Sequence, residues 1–222
     1  MTQYTNPVYL IFDYDGTLHD CSKIYNPAFR HVYGILVQKG LVENRDLTEQ
    51  EINRWLGYSP VEMWRSFLPS LPPEQTAVFS RQIGDEMLHA VQNGLASLYD
   101  GTEDVLQKLC KQNFRLLFLS NCKRAYMDCH RSYFRLDRFF SGYYCGEDYH
   151  YIAKYQIFHQ IRNEFPGSHI VIGDRFHDME IAEKHHLKSI GCAYGYGTPE
   201  ELSGANAVIT DIRQLPDTIR QL

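Results

Sequence analysis

Two aspartates separated by one residue follow an apolar run near the start of the chain. The run from Val8 to Phe12 predicts a buried strand, and Asp13 and Asp15 follow it, ahead of Gly16 and Thr17. Since residues i and i+2 of an extended chain point the same way, both carboxylates can face one reacting atom. One carboxylate could attack a phosphoryl group while the other transfers protons, with the threonine hydroxyl near a phosphate oxygen. Taken alone, the residues also fit an ordinary Asp-Gly turn.

A second apolar run ends in a hydroxyl and an amide side chain. Phe114 to Leu119 predicts another strand, and Ser120 and Asn121 follow it. A hydroxyl and backbone N–H groups at the carboxyl end of a strand can bind phosphate without a positive charge. The alternative interpretation of this pair is a helix N-cap.

A third apolar run, Ile170 to Ile172, leads into Gly173 and Asp174, with Asp178 four residues further on. If a helix begins near Arg175, the two carboxylates lie about one turn apart and close together. Paired carboxylates suit magnesium, which prefers oxygen ligands. A capped helix with an acidic first turn is the alternative.

One lysine between the second and third strands is a candidate partner for these acids. Lys154 could neutralise both a bound phosphate and Asp13, although a single lysine is more often a solvated surface charge. Lys123, shortly after the Ser-Asn pair, is the rival candidate. Its position is earlier in the chain than the order of the motifs favours.

The order of these motifs resembles the haloacid dehalogenase superfamily, and within it the phosphoglycolate-phosphatase-type hydrolases with an inserted helical (C1-type) cap. The similarity covers essentially the whole chain. It extends to three further segments, Gly16 to Asp20, Tyr99 to Gly101 and Ala193 to Gly197. One departure from the family pattern is Tyr155, which stands where many relatives have proline after the lysine.

The resemblance implies a magnesium-dependent phosphomonoester hydrolase that forms an aspartyl-phosphate. It implies a nucleophile at Asp13, a general acid and base at Asp15 and a charge-stabilising lysine at Lys154. The implied metal residues are Asp13, Asp15, Asp174 and Asp178. The implied phosphate-binding residues are Thr17, Ser120, Asn121 and Lys154.

The pattern of elements predicts an α/β fold with a doubly wound parallel sheet, the Rossmann-like core of this superfamily. Short apolar strands alternate with helical patterns along most of the chain, which is typical of such sheets. The segment Thr198 to Glu201 has the residues of a helix start, with threonine as cap and proline next. Ligands of these sheets bind outside the carboxyl ends of the strands, where the candidate residues should converge.

We expect residues 21–95 to form a helical cap domain. We expect residues 1–20 and 96–222 to form the core domain. Thr48 to Glu51 and Ser59 to Glu62 are capping boxes at the start of short helices. In similar caps the loop between two such helices contacts the leaving group of the substrate. Tyr58 is therefore a candidate specificity residue, with Arg65 behind it.

The composition agrees with a soluble enzyme that acts on small molecules. The 222 residues carry a net charge of −5, which disfavours nucleic-acid polymers and anionic membranes as partners. The six cysteines are scattered and the N-terminal residues are polar, so we expect a cytoplasmic protein with reduced thiols. We expect a monomer or small homo-oligomer acting on a small phosphorylated metabolite.

Three alternative functions follow from the same residues. A 2-haloacid dehalogenase would share the nucleophile but typically lacks the second acid, so Asp15 disfavours it. A phosphomutase would share every core motif and differ only in its cap. A catalytically silent binding module is the third possibility, because a fold does not fix a function. Phosphoglycolate, a sugar phosphate and a nucleotide monophosphate fit the core motifs equally.

Overall fold

The structure is a computed structural model, and it describes residues 7–222. Residues 1–6, part of the polar N-terminal segment behind the cytoplasmic expectation, lie outside that range. Six strands form one sheet: β1 Val8–Phe12, β2 Arg115–Ser120, β3 Phe140–Cys145, β4 Ser168–Gly173, β5 Lys188–Cys192 and β6 Ala207–Ile209. All neighbours are parallel, in the order β3-β2-β1-β4-β5-β6. The predicted doubly wound α/β fold is confirmed.

Helices cover both faces of the sheet and fill the segment between β1 and β2. They are α1 Ser22–Gln38, α2 Glu49–Asn53, α3 Pro60–Phe67, α4 Pro73–Gln92, α5 Thr102–Lys111, α6 Arg124–Tyr133, α7 Lys154–Glu164, α8 Phe176–His185 and α9 Leu215–Gln221. None of those within residues 7–222 is long and apolar enough to cross a membrane.

Successive side chains of β1 point alternately into two apolar clusters, one on each face of the sheet. Leu10 and Phe12 join the larger cluster, which includes apolar residues of α5, α6 and α9. Tyr9 and Ile11 point the other way, into a cluster with α7 and α8. Because successive strand residues alternate between faces, a continuous apolar run is what a strand covered on both sides requires.

Strand β3 is absent from the sequence-based prediction. Its residues Phe140–Cys145 include Ser141 and Gly142, which interrupt the apolar pattern. The strand lies at the edge of the sheet, where half-buried residues are tolerated. At Gly142 an added Cβ would meet the ring of Phe165 at 3.0 Å, so packing of the helix layer accounts for the glycine.

The predicted helix at Thr198 is wrong. The cap hydrogen bond forms, with the Glu201 N–H donating to the Thr198 hydroxyl at 3.3 Å, but residues 199–204 make only successive turns. The Glu201 side chain does not return to the cap residue. It accepts hydrogen bonds from Arg175 instead, at 2.8 and 3.0 Å, so a tertiary ion pair replaces the capping box.

Helices α1 to α4 form the segment inserted after the first strand. Both predicted capping boxes are present, at Thr48 and Ser59. The aromatic rings of Phe29, Trp55 and Phe67 pack together with centroids 5.1 to 5.3 Å apart. The division into a core domain and a cap domain at residues 20 and 96 remains a prediction.

The chain enters and leaves this helical segment at neighbouring positions. The Asp20 N–H donates to the Ser97 carbonyl at 3.0 Å, and the Tyr99 N–H donates to the Leu18 carbonyl at 2.9 Å. Two adjacent connections hold the inserted helices over the carboxyl end of the sheet. Their position brings residues of both parts to one site.

Candidate active site

The three predicted motif strands are neighbours at the centre of the sheet. Asp13 follows β1, Ser120 ends β2 and Asp174 follows β4. The Asp13 N–H donates to the Ile172 carbonyl at 2.9 Å, so the chain stays extended past the end of β1. All three side chains therefore begin at the same edge of the sheet, and all three are buried.

Lys154 lies at the start of α7 with its amine between two of the acids. Its Nζ is 2.8 Å from Asp13 Oδ1 and 2.7 Å from Asp178 Oδ1, and the residue is 1% exposed. Burial alone would lower the pKa of Lys154, but the charges of Asp13 and Asp178 outweigh burial and raise the pKa. Lys123 instead donates from its Nζ to the carbonyl of Ser80 on α4, at 3.2 Å.

Three buried carboxylates meet around this lysine. Asp13, Asp174 and Asp178 each place an oxygen within 4.8 Å of the other two. Burial, and then repulsion from Asp178, raise the pKa of Asp13 well above its usual range and that of Asp174 to about 7. One lysine is insufficient to compensate three carboxylates, and a divalent cation among them would supply the missing positive charge.

The backbone around Asp174 is shaped to leave room for its carboxylate. Gly16 has a φ of +88°, and a Cβ there would collide with that carboxylate. A Cβ at Gly195 would collide with the same side chain. The carboxylate accepts hydrogen bonds from the Thr17 hydroxyl at 3.3 Å and the Tyr196 N–H at 2.7 Å. Carboxylate oxygens that are held in place by such contacts suit magnesium.

Asp15 lies apart from the trio in a separate hydrogen-bond network. Its Oδ1 accepts from the Tyr126 hydroxyl and is paired with His19 Nδ1, both at 2.8 Å. Burial raises the pKa of Asp15, but the hydrogen bonds and the charges of His19 and His130 outweigh burial and lower it. In the sequence His19 is marked only by its place in the segment Gly16 to Asp20, and Tyr126 has no local signal of a role in the site.

Besides Lys154, the other three phosphate-binding candidates also lie at the carboxyl edge of the central strands. The Thr17 hydroxyl donates to Asp174, as described above. Ser120 is buried at the end of β2. The Asn121 amide donates to the Gly57 carbonyl at 3.2 Å, which links the β2 loop to the loop before α3.

Arg175 joins the β4 loop to the inserted helices. Its guanidinium pairs with Glu201, donates to the carbonyls of Arg54 and Leu56, and lies 4.7 Å from the ring centroid of Tyr58. The side chain is buried, so these hydrogen bonds are shielded from water. In the sequence Arg175 follows Asp174 near a predicted helix start, and its role as a connector depends on tertiary structure.

A cavity of about 130 Å³ opens between the inserted helices and the core, and Asp15 lines it. Tyr58, the predicted specificity residue, also lines this cavity. Arg65 does not: it is exposed on α3 and lines an adjoining surface groove with Lys123 and Arg81. Of the two cap candidates, the structure brings only Tyr58 to the site.

Comparisons with known proteins agree with this architecture. The family model described as haloacid dehalogenase-like hydrolase matches residues 10–192. Pyrophosphatase PpaX of Listeria monocytogenes serotype 4b (strain CLIP80459) is 24% identical over 199 residues, 87% of each chain. A predicted phosphatase from Clostridium acetobutylicum has a similar structure, with a TM-score of 0.81, 24% identity and coverage of 97% of this chain and 99% of that one.

A further similar structure is that of CbbY from Rhodobacter sphaeroides in complex with phosphate. Its TM-score is 0.76 at 18% identity, covering 93% of this chain and 95% of that one. At such identities the structures establish a shared fold. The family match, which extends over most of the chain, is the stronger finding and agrees with the resemblance that the motifs carry.

Proposed function

This chain belongs to the haloacid dehalogenase-like hydrolase family, and we propose that it is a magnesium-dependent phosphatase forming an aspartyl-phosphate. The observation that carries the proposal is the buried trio of Asp13, Asp174 and Asp178 around Lys154, next to the separate carboxylate of Asp15. A nucleophile beside a lysine in a cluster that a cation would complete, and a proton carrier beside a cavity, are the groups that a two-step phosphoryl transfer needs.

Asp13 is the proposed nucleophile. Its carboxylate attacks the phosphorus of the substrate, the bond from phosphorus to the leaving oxygen breaks, and an acyl phosphate forms on Asp13. The attacking group must be ionised, whereas burial raises its pKa. The ion pair with Lys154 at 2.8 Å favours the ionised form and so supports this role.

Asp15 is the proposed acid and base. In the first step its protonated form gives a proton to the leaving oxygen, and a bound phosphate dianion nearby favours that form. In the second step the carboxylate takes a proton from the water that hydrolyses the acyl phosphate. The hydrogen bonds from Tyr126 and His19 favour the carboxylate and hold it at the cavity wall.

The hydroxyls of Thr17 and Ser120, the amide of Asn121 and the amine of Lys154 are the proposed phosphate-binding groups. Each lies at the carboxyl edge of the central strands. The Asn121 amide would exchange its present acceptor, the Gly57 carbonyl, for a phosphate oxygen. Donors fixed in this way stabilise charge that develops on the phosphoryl oxygens.

Magnesium fits the site because the oxygen donors are close together and undercompensated. The carboxylates of Asp13 and Asp174 and the backbone carbonyl of Asp15 would hold it, and Asp178 would orient its water ligands. When bound, the cation supplies positive charge that lets a phosphate dianion approach an acidic pocket.

The substrate we propose is a small phosphorylated compound. The names of the similar proteins, a pyrophosphatase and a predicted phosphatase, support that class.

All six cysteines are free thiols, which supports the expected cytoplasmic location because oxidising compartments favour disulfides.

The test is hydrolysis of 4-nitrophenyl phosphate with and without magnesium. We expect turnover that is abolished by excess EDTA and restored by added magnesium, because Asp13 and Asp174 cannot accept a phosphate dianion without a cation. Undiminished turnover after verified metal removal would exclude the metal-dependent mechanism. The absence of turnover across a broad panel of phosphate esters would favour a binding module.

A further inference from the structure

We propose that the leaving group of the natural substrate is a compact, mostly apolar alcohol with a single ring and one hydrogen-bonding oxygen. The proposal rests on the phosphatase function and concerns the cavity between the inserted helices and the core. Asp15, the proposed proton donor to the leaving oxygen, lines this cavity. The cavity is therefore on the leaving-group side of the phosphorus.

The walls of the cavity are aromatic and aliphatic. Six of its lining residues supply most of this character: Tyr25, Trp55, Tyr58, Met63, Met87 and Tyr126. Trp55, Met63 and Met87 also belong to the larger apolar cluster of the protein. Burial of apolar surface contributes about 25 cal/mol per Å², and aromatic walls favour a flat ring.

Positive charge is scarce in this lining. Within the described part of the chain, Lys123 is the one lysine or arginine among the lining residues, and its amine already donates to the Ser80 carbonyl at 3.2 Å. A second phosphate would need several charged donors to replace its water. A sugar would bury hydroxyls against apolar walls, at about 1 to 3 kcal/mol for each unpaired group.

One hydroxyl in the lining lacks a partner. Tyr25 is 8% exposed, and its hydroxyl is buried with no hydrogen-bond partner among the residues that the structure describes. Buried hydroxyls are rarely left unpaired, since the cost is about 1 to 3 kcal/mol. A hydroxyl or carbonyl oxygen on the leaving group would pair with it. This pairing is the reason for a hydrogen-bonding oxygen in the proposed alcohol.

The size of the cavity suits an alcohol with one ring. Its volume is about 130 Å³. A cavity of roughly 150 Å³ lined by apolar side chains accommodates benzene. A substituted six-membered ring matches that volume, whereas a nucleoside, which has a base and a sugar, would extend out of the cavity.

The test compares kcat/KM for four phosphates: benzyl phosphate, 3-hydroxybenzyl phosphate, glucose 6-phosphate and pyrophosphate. We expect both benzyl esters to be preferred by about tenfold or more over the two polar compounds. Faster hydrolysis of pyrophosphate or glucose 6-phosphate would overturn the inference and leave the phosphatase function intact. If no phosphate ester is hydrolysed, 4-nitrophenyl phosphate included, the proposed function fails and this inference with it.

Tyr25→Phe tests the unpaired hydroxyl. It should lower kcat/KM for 3-hydroxybenzyl phosphate by roughly three- to tenfold more than for benzyl phosphate, because only the former offers a partner oxygen. Tyr33→Phe is the matched control, since Tyr33 is also on α1 but its hydroxyl donates to the Glu43 carbonyl at 2.6 Å outside the cavity. Equal effects of Tyr25→Phe on the two esters would overturn the assigned hydrogen bond.

Discussion

At the scale of single residues, Lys154 supplies the positive charge next to the proposed nucleophile. Its amine lies between Asp13 and Asp178, and all three side chains are buried. The lysine favours the ionised form of the proposed nucleophile, but burial and the neighbouring aspartates still raise the pKa of Asp13, so a cation is needed as well. Removing one member of a buried ion pair leaves its partner uncompensated, which is costly.

Replacement of Lys154 by methionine should therefore impair catalysis while keeping most of the apolar stem. The loss of a charge-assisted contact in a dry site costs about 1.5 to 3 kcal/mol, so kcat/KM should fall roughly ten- to hundredfold. Steady-state kinetics with 4-nitrophenyl phosphate measures this. Lys123→Met is the comparison variant; near-normal activity of Lys154→Met beside a collapse in Lys123→Met would show that the lysine is misassigned.

The sequence indicates the acids of the site better than the residues that hold them. The two-residue spacing of Asp13 and Asp15 after a strand is a local signal. Tyr126, which donates to Asp15 across 111 positions of sequence, is on a helix with no local sign of that contact. The partners of a catalytic group depend on tertiary packing, so sequence spacing does not reveal them.

At the scale of elements, Arg175 connects the loop after β4 to the loop between α2 and α3. Its guanidinium has acceptors on both sides, the carboxylate of Glu201 and the carbonyls of Arg54 and Leu56. Five donors in a planar fork permit this arrangement, and a lysine amine cannot reproduce it. The loop that carries Tyr58 is held against the site by this residue.

Arg175→Lys should loosen that loop. Loss of hydrogen bonds worth about 1.5 kcal/mol or more should speed amide hydrogen exchange in residues 54–58 about tenfold or more. Hydrogen exchange with mass spectrometry measures this. Arg45→Lys is the control, because Arg45 pairs with Glu51 at the exposed surface, where such pairs contribute little. Unchanged exchange in Arg175→Lys would show that the arginine does not hold the loop.

Local signals predicted elements correctly where the capping carboxylate kept its local hydrogen bonds. The capping boxes at Thr48 and Ser59 form with both reciprocal hydrogen bonds. At Thr198 the same type of signal fails, because Arg175 takes the side chain of Glu201. Strand β3 was missed for the opposite reason: its glycine and serine weaken the local pattern, and pairing with β2 determines its structure.

At the scale of the whole molecule, the location of the site follows from the parallel sheet. Once the strands are parallel and adjacent, their carboxyl ends must meet, and remote acids come together. The cavity could not be predicted in this way. It depends on how α1 to α4 sit over the sheet, and that arrangement arises from contacts such as Asn121 with Gly57 and Arg175 with Leu56.

The most direct test of the proposed phosphatase function is to identify the residue that carries phosphate during the reaction. Asp15→Asn keeps the nucleophile and removes the base of the second step, so a substrate with a good leaving group should phosphorylate the enzyme and stall.

After rapid acid quench with 4-nitrophenyl phosphate, mass spectrometry of the digested Asp15→Asn protein should find one phosphate on Asp13. The doubly substituted protein, with Asp13→Asn added, should carry none. Phosphate on any other residue, or a burst of 4-nitrophenol release without phosphate on Asp13, would contradict the mechanism.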